Sequence, residues 1–115
     1  MPPKAKSGFD RVKKIGTKLE GVTVTKTWGT PALKVGGKVL CFIPTNKQAE
    51  PGSLGVRLDF YERDLRIQLK PKTYYLKPHY ESYPYVLARL SKLSDGELAE
   101  LLETSWTLCR AKRKR

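Results

Sequence analysis

A chain of 115 residues has the size of one ordinary domain, which excludes two independent cores. Its 23 lysines and arginines outnumber its 11 aspartates and glutamates, giving a formal net charge of +12 and a pI near 9.9. This balance favours a polyanionic partner, while general solubility and an acidic protein partner are alternative explanations.

The chain carries no signal for a membrane or an oxidising compartment. No apolar run approaches the roughly 18 residues of a spanning helix, and the N-terminal MPPKAKSG has no apolar signal region. Cys41 lies in an apolar run and Cys109 in a helical pattern, so both are interpreted as small core residues. We therefore expect a soluble cytoplasmic protein.

The first predicted element is a helix. Residues 1–6 are rich in proline and lysine and are expected to be disordered, whereas Ser7 is a helix cap and Gly21 ends the helical pattern. The core-facing positions of this helix are Phe9, Val12, Ile15 and Leu19. The alternating, β-branched run Val22–Trp28 follows as a strand.

A hairpin around Gly36 and Gly37 is the strongest local prediction. Two β-type runs, Ala32–Val35 and Lys38–Ile43, meet at this pair, and a two-residue type I′ turn requires positive φ at both positions. The second run is apolar from Val39 to Ile43, which predicts a strand covered on both faces in the middle of a sheet. A turn at Gly29-Thr30-Pro31, preceded by Trp28, leads into the hairpin.

The second half of the chain predicts two more helices and three strands. A polar loop precedes a half-exposed strand at Leu54–Phe60, and Tyr61–Lys70 favours a helix, with a fifth strand as the alternative. A second hairpin joins Thr73–Leu76 to Tyr83–Leu90 through the basic and aromatic KPHYES. The capping box of Ser94 and Glu97 opens the last helix, whose buried stripe is Leu98, Leu101, Leu102, Ser105 and Cys109.

These elements predict an α+β fold in which an antiparallel sheet of about five to six strands packs against N-terminal, middle and C-terminal helices. The single domain spans residues 7–110, and residues 111–115 form a basic tail. Catalysis is not expected, because the chain has one histidine, His79 in a loop, no paired cysteine motif and no glycine-rich loop from strand to helix. No metal site and no cofactor are predicted.

The order of elements resembles the MmcQ/YjbR family from Phe9 to Lys112. The matching pieces are the Trp28-Gly29-Thr30-Pro31 turn, the Val35–Lys38 hairpin, the basic loop before Tyr85–Leu90, and a closing helix in which Leu101-Leu102 precedes Ser105-Trp106. The resemblance implies a two-layer double-wing DNA-binding fold, similar in shape to secretion chaperones, without a catalytic residue set. Trp106 and Tyr85 depart from the family's tyrosine and tryptophan, and both keep an aromatic ring.

Two functions of different classes remain open. In the first, hairpin tips and tail contact the phosphates of DNA or RNA with little base readout, because no set of arginines or asparagines for reading bases is apparent. Its candidate residues are Lys34, Lys38, Lys72, Lys77, His79, Tyr80, Arg110, Lys112 and Arg113, with Trp28, Gly29, Pro31, Gly36 and Gly37 as structural turn residues.

The tyrosines at positions 74, 75, 80, 83 and 85 have two readings within this first function: they stack on unpaired bases, or they pack across strands. Cross-strand packing is the more common role for tyrosine in a strand. The second function is a protein adaptor, in which a sheet face or edge binds an acidic or extended partner peptide.

Overall fold

Six strands form one antiparallel sheet in the computed structural model, which describes residues 4–110. Along the chain the elements are α1 (Lys4–Gly16), β1 (Thr23–Thr27), β2 (Thr30–Val35), β3 (Lys38–Phe42), β4 (Ser53–Arg57), α2 (Phe60–Leu69), β5 (Tyr74–Tyr75), β6 (Tyr85–Arg89) and α3 (Asp95–Arg110). The strand order in the sheet is β1-β2-β3-β4-β6-β5. This order of elements confirms the predicted α+β fold, and β3 lies inside the sheet as expected.

The first helix differs from its prediction at both ends. It begins at Lys4, so residues 4–6 belong to a helix rather than to a disordered segment, and residues 1–3 lie outside the described part. It ends at Gly16 rather than Gly21. A side chain at Gly16 would approach Leu33 Cδ1 to 2.5 Å. The absence of that side chain lets the end of α1 pack closely against β2. The predicted tail 111–115 also lies outside the described residues.

The second helix confirms the helical reading of residues 61–70 and excludes the alternative strand there. Asp59 caps α2, accepting a hydrogen bond from the Glu62 backbone N–H at 2.8 Å. The third helix has the predicted capping box: the Ser94 N–H donates to Glu97 Oε1 at 2.9 Å and the Glu97 N–H donates to Ser94 Oγ at 3.0 Å. The predicted stripe of α3 is buried along its whole length.

The Gly36-Gly37 turn has φ angles of +58° and +79°, as a two-residue hairpin of this type requires. The strand after it contains a bulge: Leu33 pairs with Cys41 and Lys34 with Val39, which leaves Leu40 as the extra residue. Leu40 and Cys41 therefore both lie on the helix side of the sheet, where both are fully buried. The bulge therefore lets the continuously apolar strand β3 place side chains in the apolar clusters on both faces of the sheet.

The three helices cover one face of the sheet and bury an aliphatic cluster there. We call this cluster the helix-side core, and it contains Val12, Leu33, Leu54, Val56, Leu98, Leu101 and Leu102, all with no exposed surface. The opposite face carries a second, separate cluster. We call it the aromatic face, and it comprises Ala32, Phe42, Tyr75, Tyr80, Tyr85 and Leu87.

Candidate nucleic-acid interface

Phe42 is the centre of the aromatic face. Its ring lies over Gly55 of the neighbouring strand, where a Cβ atom would stand 2.5 Å from Phe42 Cζ, so only glycine admits the ring there. The rings of Trp28 and Tyr85 meet it edge to face, with centroid distances of 5.0 and 5.1 Å. Tyr80 packs on it at 6.5 Å. Such edge-to-face contacts hold the rings in fixed relative positions.

These rings enclose a pocket of about 310 Å³ on the aromatic face. The size lies at the lower end of the range of small-ligand sites, and aromatic walls with a few polar groups are typical of such sites. Its lining residues are Trp28, Thr30, Phe42, Ile43, Thr45, Asn46, His79, Tyr80, Tyr83 and Tyr85.

Trp28 forms the mouth of this pocket from an unusual backbone position. The turn between β1 and β2 consists of Trp28 and Gly29, with φ angles of +51° and +73°, and Trp28 is the one non-glycine residue at positive φ within residues 4–110. Its side chain is 64% exposed. The predicted turn is therefore displaced by one residue, since Thr30 and Pro31 already belong to β2.

The segment between β5 and β6 covers part of the aromatic face instead of projecting as a wing. The His79 backbone N–H donates to Gln48 Oε1 at 3.0 Å, which ties this segment to the loop after β3. The buried Arg63 of α2 donates to the carbonyl oxygens of Glu81 and Tyr83, both at 3.0 Å. These bonds place the His79 and Tyr80 rings 4.8 Å apart beside Phe42.

Most of the tyrosines are packing residues, as their usual role in strands predicts. Tyr80 is only 6% exposed, so its ring packs beside Phe42 and does not project from an exposed tip. Burial also raises its pKa above the ordinary tyrosine value. Tyr74, Tyr75 and Tyr85 are buried as well, whereas Tyr83 at the pocket is 51% exposed.

Tyr85 forms a fixed wall of the pocket because its hydroxyl group is held. Arg57 donates from one guanidinium nitrogen to the Val39 carbonyl at 2.8 Å and from another to the Tyr85 hydroxyl at 2.9 Å. Burial raises the pKa of Tyr85, and the Arg57 charge opposes that rise only in part. The phenol therefore stays protonated at neutral pH, and its ring is held in one orientation.

The two lysines beside the Gly36-Gly37 turn face opposite sides of the sheet. Lys34 pairs with Val39, which packs against the aromatic cluster, whereas Lys38 pairs with Val35 of the helix-side core. Residues directly opposite each other in neighbouring strands share a face. The two predicted contact residues are therefore separated by the sheet, and of the two only Lys34 lies on the face that carries the pocket.

The other predicted contact residues are divided as well. The Lys77 Nζ atom lies 5.9 Å from the centre of the Tyr75 ring on the aromatic face, whereas Lys72 follows α2 and its carbonyl accepts from Arg89. Arg110 at the end of α3 lies 3.7 Å from Glu20 and over the Trp106 ring. Lys112 and Arg113 lie outside the described residues. Of these residues, His79 lines the pocket, and Lys34 and Lys77 lie elsewhere on the same side of the sheet.

All arginines within residues 8–110 are already engaged. Five of them form ion pairs with acidic residues: Arg11 with Asp95, Arg63 with Asp64, Arg66 with Glu100, Arg89 with Glu50 and Arg110 with Glu20. The sixth, Arg57, is bound to Val39 and Tyr85. Lys70 also forms an ion pair, with Glu97. Apart from Arg57, the cationic side chains of this part of the chain that form no ion pair are therefore the other lysines.

Sequence reasoning missed several residues of the pocket. The sequence predicts Trp28 only as a turn residue, and Thr45 and Asn46 belong to a predicted polar loop. A usable signal was present: Trp28-Gly29 separates two β-type runs by two residues, which is hairpin spacing with an aromatic where asparagine is usual. The loop residues had no comparable signal, because only the folded chain brings them to the pocket.

Within 4–110, no three histidine, cysteine, aspartate or glutamate side chains are grouped as metal ligands would be. None of the helices in this range combines the length and the apolar character needed to cross a membrane.

Comparison with known proteins gives a family and a fold. The family model described as YjbR matches residues 17–108. The crystal structure of the Deinococcus radiodurans protein DR2400, with a domain described as DUF419, is similar with a TM-score of 0.70 and 21% identity, over 90% of this chain and 79% of that chain. At this identity the likeness shows a shared fold. Curated proteins provide no match.

Proposed function

The chain belongs to the YjbR family, and we propose that it is a non-catalytic protein that binds nucleic acid through its phosphates on the aromatic face. The observation that carries the proposal is a group of lysines on this side of the sheet that belong to no ion pair among the described residues. Lys34 lies on this face, Lys47 follows the pocket residue Asn46, and Lys77 lies over the Tyr75 ring, two residues before His79. Lysines of this kind attract a polyanion.

These lysines are available because acidic side chains are used elsewhere. None of the three belongs to an ion pair among the residues that the structure describes. Lysine contacts phosphate as a point charge, so its ammonium group tolerates any sequence.

Specific base recognition in a duplex is not expected from this face. Bidentate readout of guanine needs an arginine or lysine aimed into the major groove, and readout of adenine needs asparagine or glutamine. The arginines of the described part are engaged, Asn46 Oδ1 accepts from the Gln48 N–H at 2.9 Å, and Gln48 Oε1 accepts from His79. The proposed binding is therefore weak in sequence preference.

A salt titration tests the proposal. If about five phosphates are contacted, the logarithm of affinity falls against the logarithm of salt concentration with a slope near −4 to −5. The corresponding loss between 50 and 200 mM salt is roughly 10²–10³. Fluorescence anisotropy with labelled DNA and RNA of one length measures this slope.

Lys34 and Lys38 provide a matched pair of variants, because they flank the same turn on opposite faces. Lys34→Ala should reduce the magnitude of the salt slope by about 1, as expected when one phosphate contact is lost. Lys38→Ala removes the same charge and should leave the slope unchanged. Equal losses in both variants would indicate attraction by net charge without a defined surface.

The adaptor hypothesis is the alternative outcome of these measurements. Strand β1 is an edge of the sheet, but Lys26 within it opposes the addition of a further strand. If the full chain retards neither DNA nor RNA at 50 mM salt, the nucleic-acid proposal fails and a protein partner becomes the better account.

A further inference from the structure

We propose that the aromatic pocket takes one unpaired nucleobase, so that the nucleic acid bound here is single-stranded at that point. This inference rests on the proposed phosphate binding. It assigns a ligand to the aromatic pocket, which phosphate contacts do not occupy. A base in a duplex is stacked on both sides and is not available to a pocket in a protein surface. The pocket therefore predicts a preference between strand forms, which phosphate contacts alone do not give.

The rings of the pocket wall stand edge to face rather than parallel, so a planar base would stack on one exposed ring face. The Phe42 and Tyr85 rings are perpendicular, at 87°, and the Trp28 ring is inclined to them by 75° and 85°. The exposed surfaces at the mouth belong to Trp28 and Tyr83, at 64% and 51%. Every base has a π face, so stacking on such rings tolerates any sequence.

Polar groups at the rim suit the edge of a base rather than an aliphatic ligand. Thr30, Thr45, Asn46 and His79 line the pocket together with the rings. The Asn46 side chain is held by the bond from the Gln48 N–H, which fixes its amide group in place. Hydroxyl, amide and imidazole groups donate and accept hydrogen bonds, as the ring nitrogens and carbonyls of a base require.

The backbone of Trp28 supplies an independent argument. A two-residue turn with positive φ is best served by Asn-Gly, and a bulky side chain at positive φ is strained. The chain nevertheless has Trp-Gly here, with φ at +51° for the tryptophan. Backbone strain of this kind is found at functional sites, where the conformation places a side chain for function in spite of its energetic cost. Here the strained backbone brings the indole to the mouth of the pocket.

Charge identifies a nucleotide strand rather than an isolated aromatic ligand. Lys47 directly follows the pocket residue Asn46, and Lys77 stands two residues before the pocket residue His79, on the two loops that border the pocket. Ammonium groups on these loops would attract the phosphates of a bound strand. Two acidic residues belong to the same loops. Glu50 pairs with Arg89, whose hydrogen bond lowers the pKa of the Glu50 carboxyl group, and Glu81 is exposed.

The decisive variant is Trp28→Asn, because asparagine accepts positive φ and preserves the turn. Tyr61→Ala is the matched control, since Tyr61 is a 76% exposed aromatic residue on α2 that does not line the pocket. The full chain is titrated with a 15-nucleotide single strand, the same strand annealed to its complement, and an abasic strand of equal length. Thermal unfolding of each variant reports whether it is folded.

We expect the wild-type chain to bind the single strand about tenfold more tightly than the abasic strand, the magnitude of one stacked base. Trp28→Asn should weaken binding of the single strand about tenfold, while affinity for the duplex and the abasic strand stays the same. Tyr61→Ala should change none of the three affinities.

Other results separate the two proposals. If Trp28→Asn leaves single-strand affinity unchanged while salt-dependent binding persists, the base site is refuted and phosphate binding stands. Equal losses for all three ligands also refute it, because the indole then acts without regard to a base. If the wild-type chain binds none of the ligands at 50 mM salt, the proposed function fails, and the base site fails with it.

Discussion

The two faces of the sheet differ in their side chains and in the elements that cover them. The helix-side core is mostly aliphatic, with Phe9 and Tyr74 as buried aromatic members, and is enclosed by three helices, with Leu98, Leu101 and Leu102 fully buried. The aromatic face is covered only by loops, and its rings remain open to solvent at Trp28 and Tyr83. Aliphatic side chains fill space without polar requirements, whereas aromatic rings add hydroxyl groups that need partners. The comparison indicates that one face supplies stability and the other presents the candidate site.

The hydrogen bonds of the aromatic face show how a loop-covered surface is kept in order. The Tyr75 hydroxyl lies 2.6 Å from Ser53 Oγ and accepts from the Glu50 N–H at 2.7 Å, so it anchors the loop that leads into β4. Arg89 stacks on the Tyr75 ring at 4.3 Å and pairs with Glu50. These contacts bury few aliphatic groups, and we therefore expect them to contribute less to unfolding free energy than α3 does.

The largest effect is expected from Leu101→Ala in the helix-side core. Removal of a fully buried leucine side chain should lower the free energy of unfolding by about 2–5 kcal/mol, through lost burial and the cavity left behind. Denaturant unfolding measures the loss. At a temperature where the variant is folded, its affinity for nucleic acid should equal that of the wild type. A loss below about 0.5 kcal/mol would show that α3 is docked differently.

A smaller effect is expected from Gly55→Ala on the aromatic face. The new methyl group would meet the Phe42 ring at 2.5 Å, and the ring is confined by its neighbours, so overpacking should cost about 1–3 kcal/mol. The displaced ring should also weaken the base site, which the single-strand titration detects.

Gly96→Ala in α3 is the control for that variant. A Cβ atom there meets nothing closer than Ser94 Oγ at 3.9 Å, so this substitution should be neutral or stabilise the chain by up to about 1 kcal/mol. If both glycine variants unfold like the wild type, the position assigned to the Phe42 ring is wrong.

The smallest effect concerns an ion pair on the helix side. The Ser94 backbone N–H, and then Lys70, lower the pKa of Glu97 from 4.5 to about 2. A carboxyl group with a lowered pKa in the folded state stabilises the fold above its unfolded pKa, and this contribution is lost as pH falls towards the folded value. The melting temperature of the wild type should therefore fall between pH 5 and 2, and less steeply in Glu97→Gln.

Glu103→Gln, at an exposed position of the same helix outside the ion pairs of the described part, is the control and should retain the wild-type slope. The same pH profile in all three proteins would contradict the role of Glu97.

The sequence by itself determined the features that depend on neighbouring residues. The Gly36-Gly37 turn, the Ser94 and Glu97 capping box and the stripe of α3 were all predicted, because positive φ, end-capping and helical periodicity act over a few residues. The alternation of β-type runs with helical patterns was also sufficient for the fold class and the order of the elements. The ends of α1, at Lys4 and Gly16, were not predicted, and the close packing of Gly16 against the distant Leu33 has no local signal.

Only the tertiary structure decided which of the charged and aromatic residues are available. Arg66 and Arg89 meet acidic partners 34 and 39 residues away, so no local pattern shows that they are occupied. The bulge at Leu40 sets the register that separates Lys34 from Lys38. Trp28 and His79 come to one pocket only because the loop after β5 folds back over Phe42. The physical reason is that burial and pairing are properties of contacts between distant segments, which composition and periodicity do not contain.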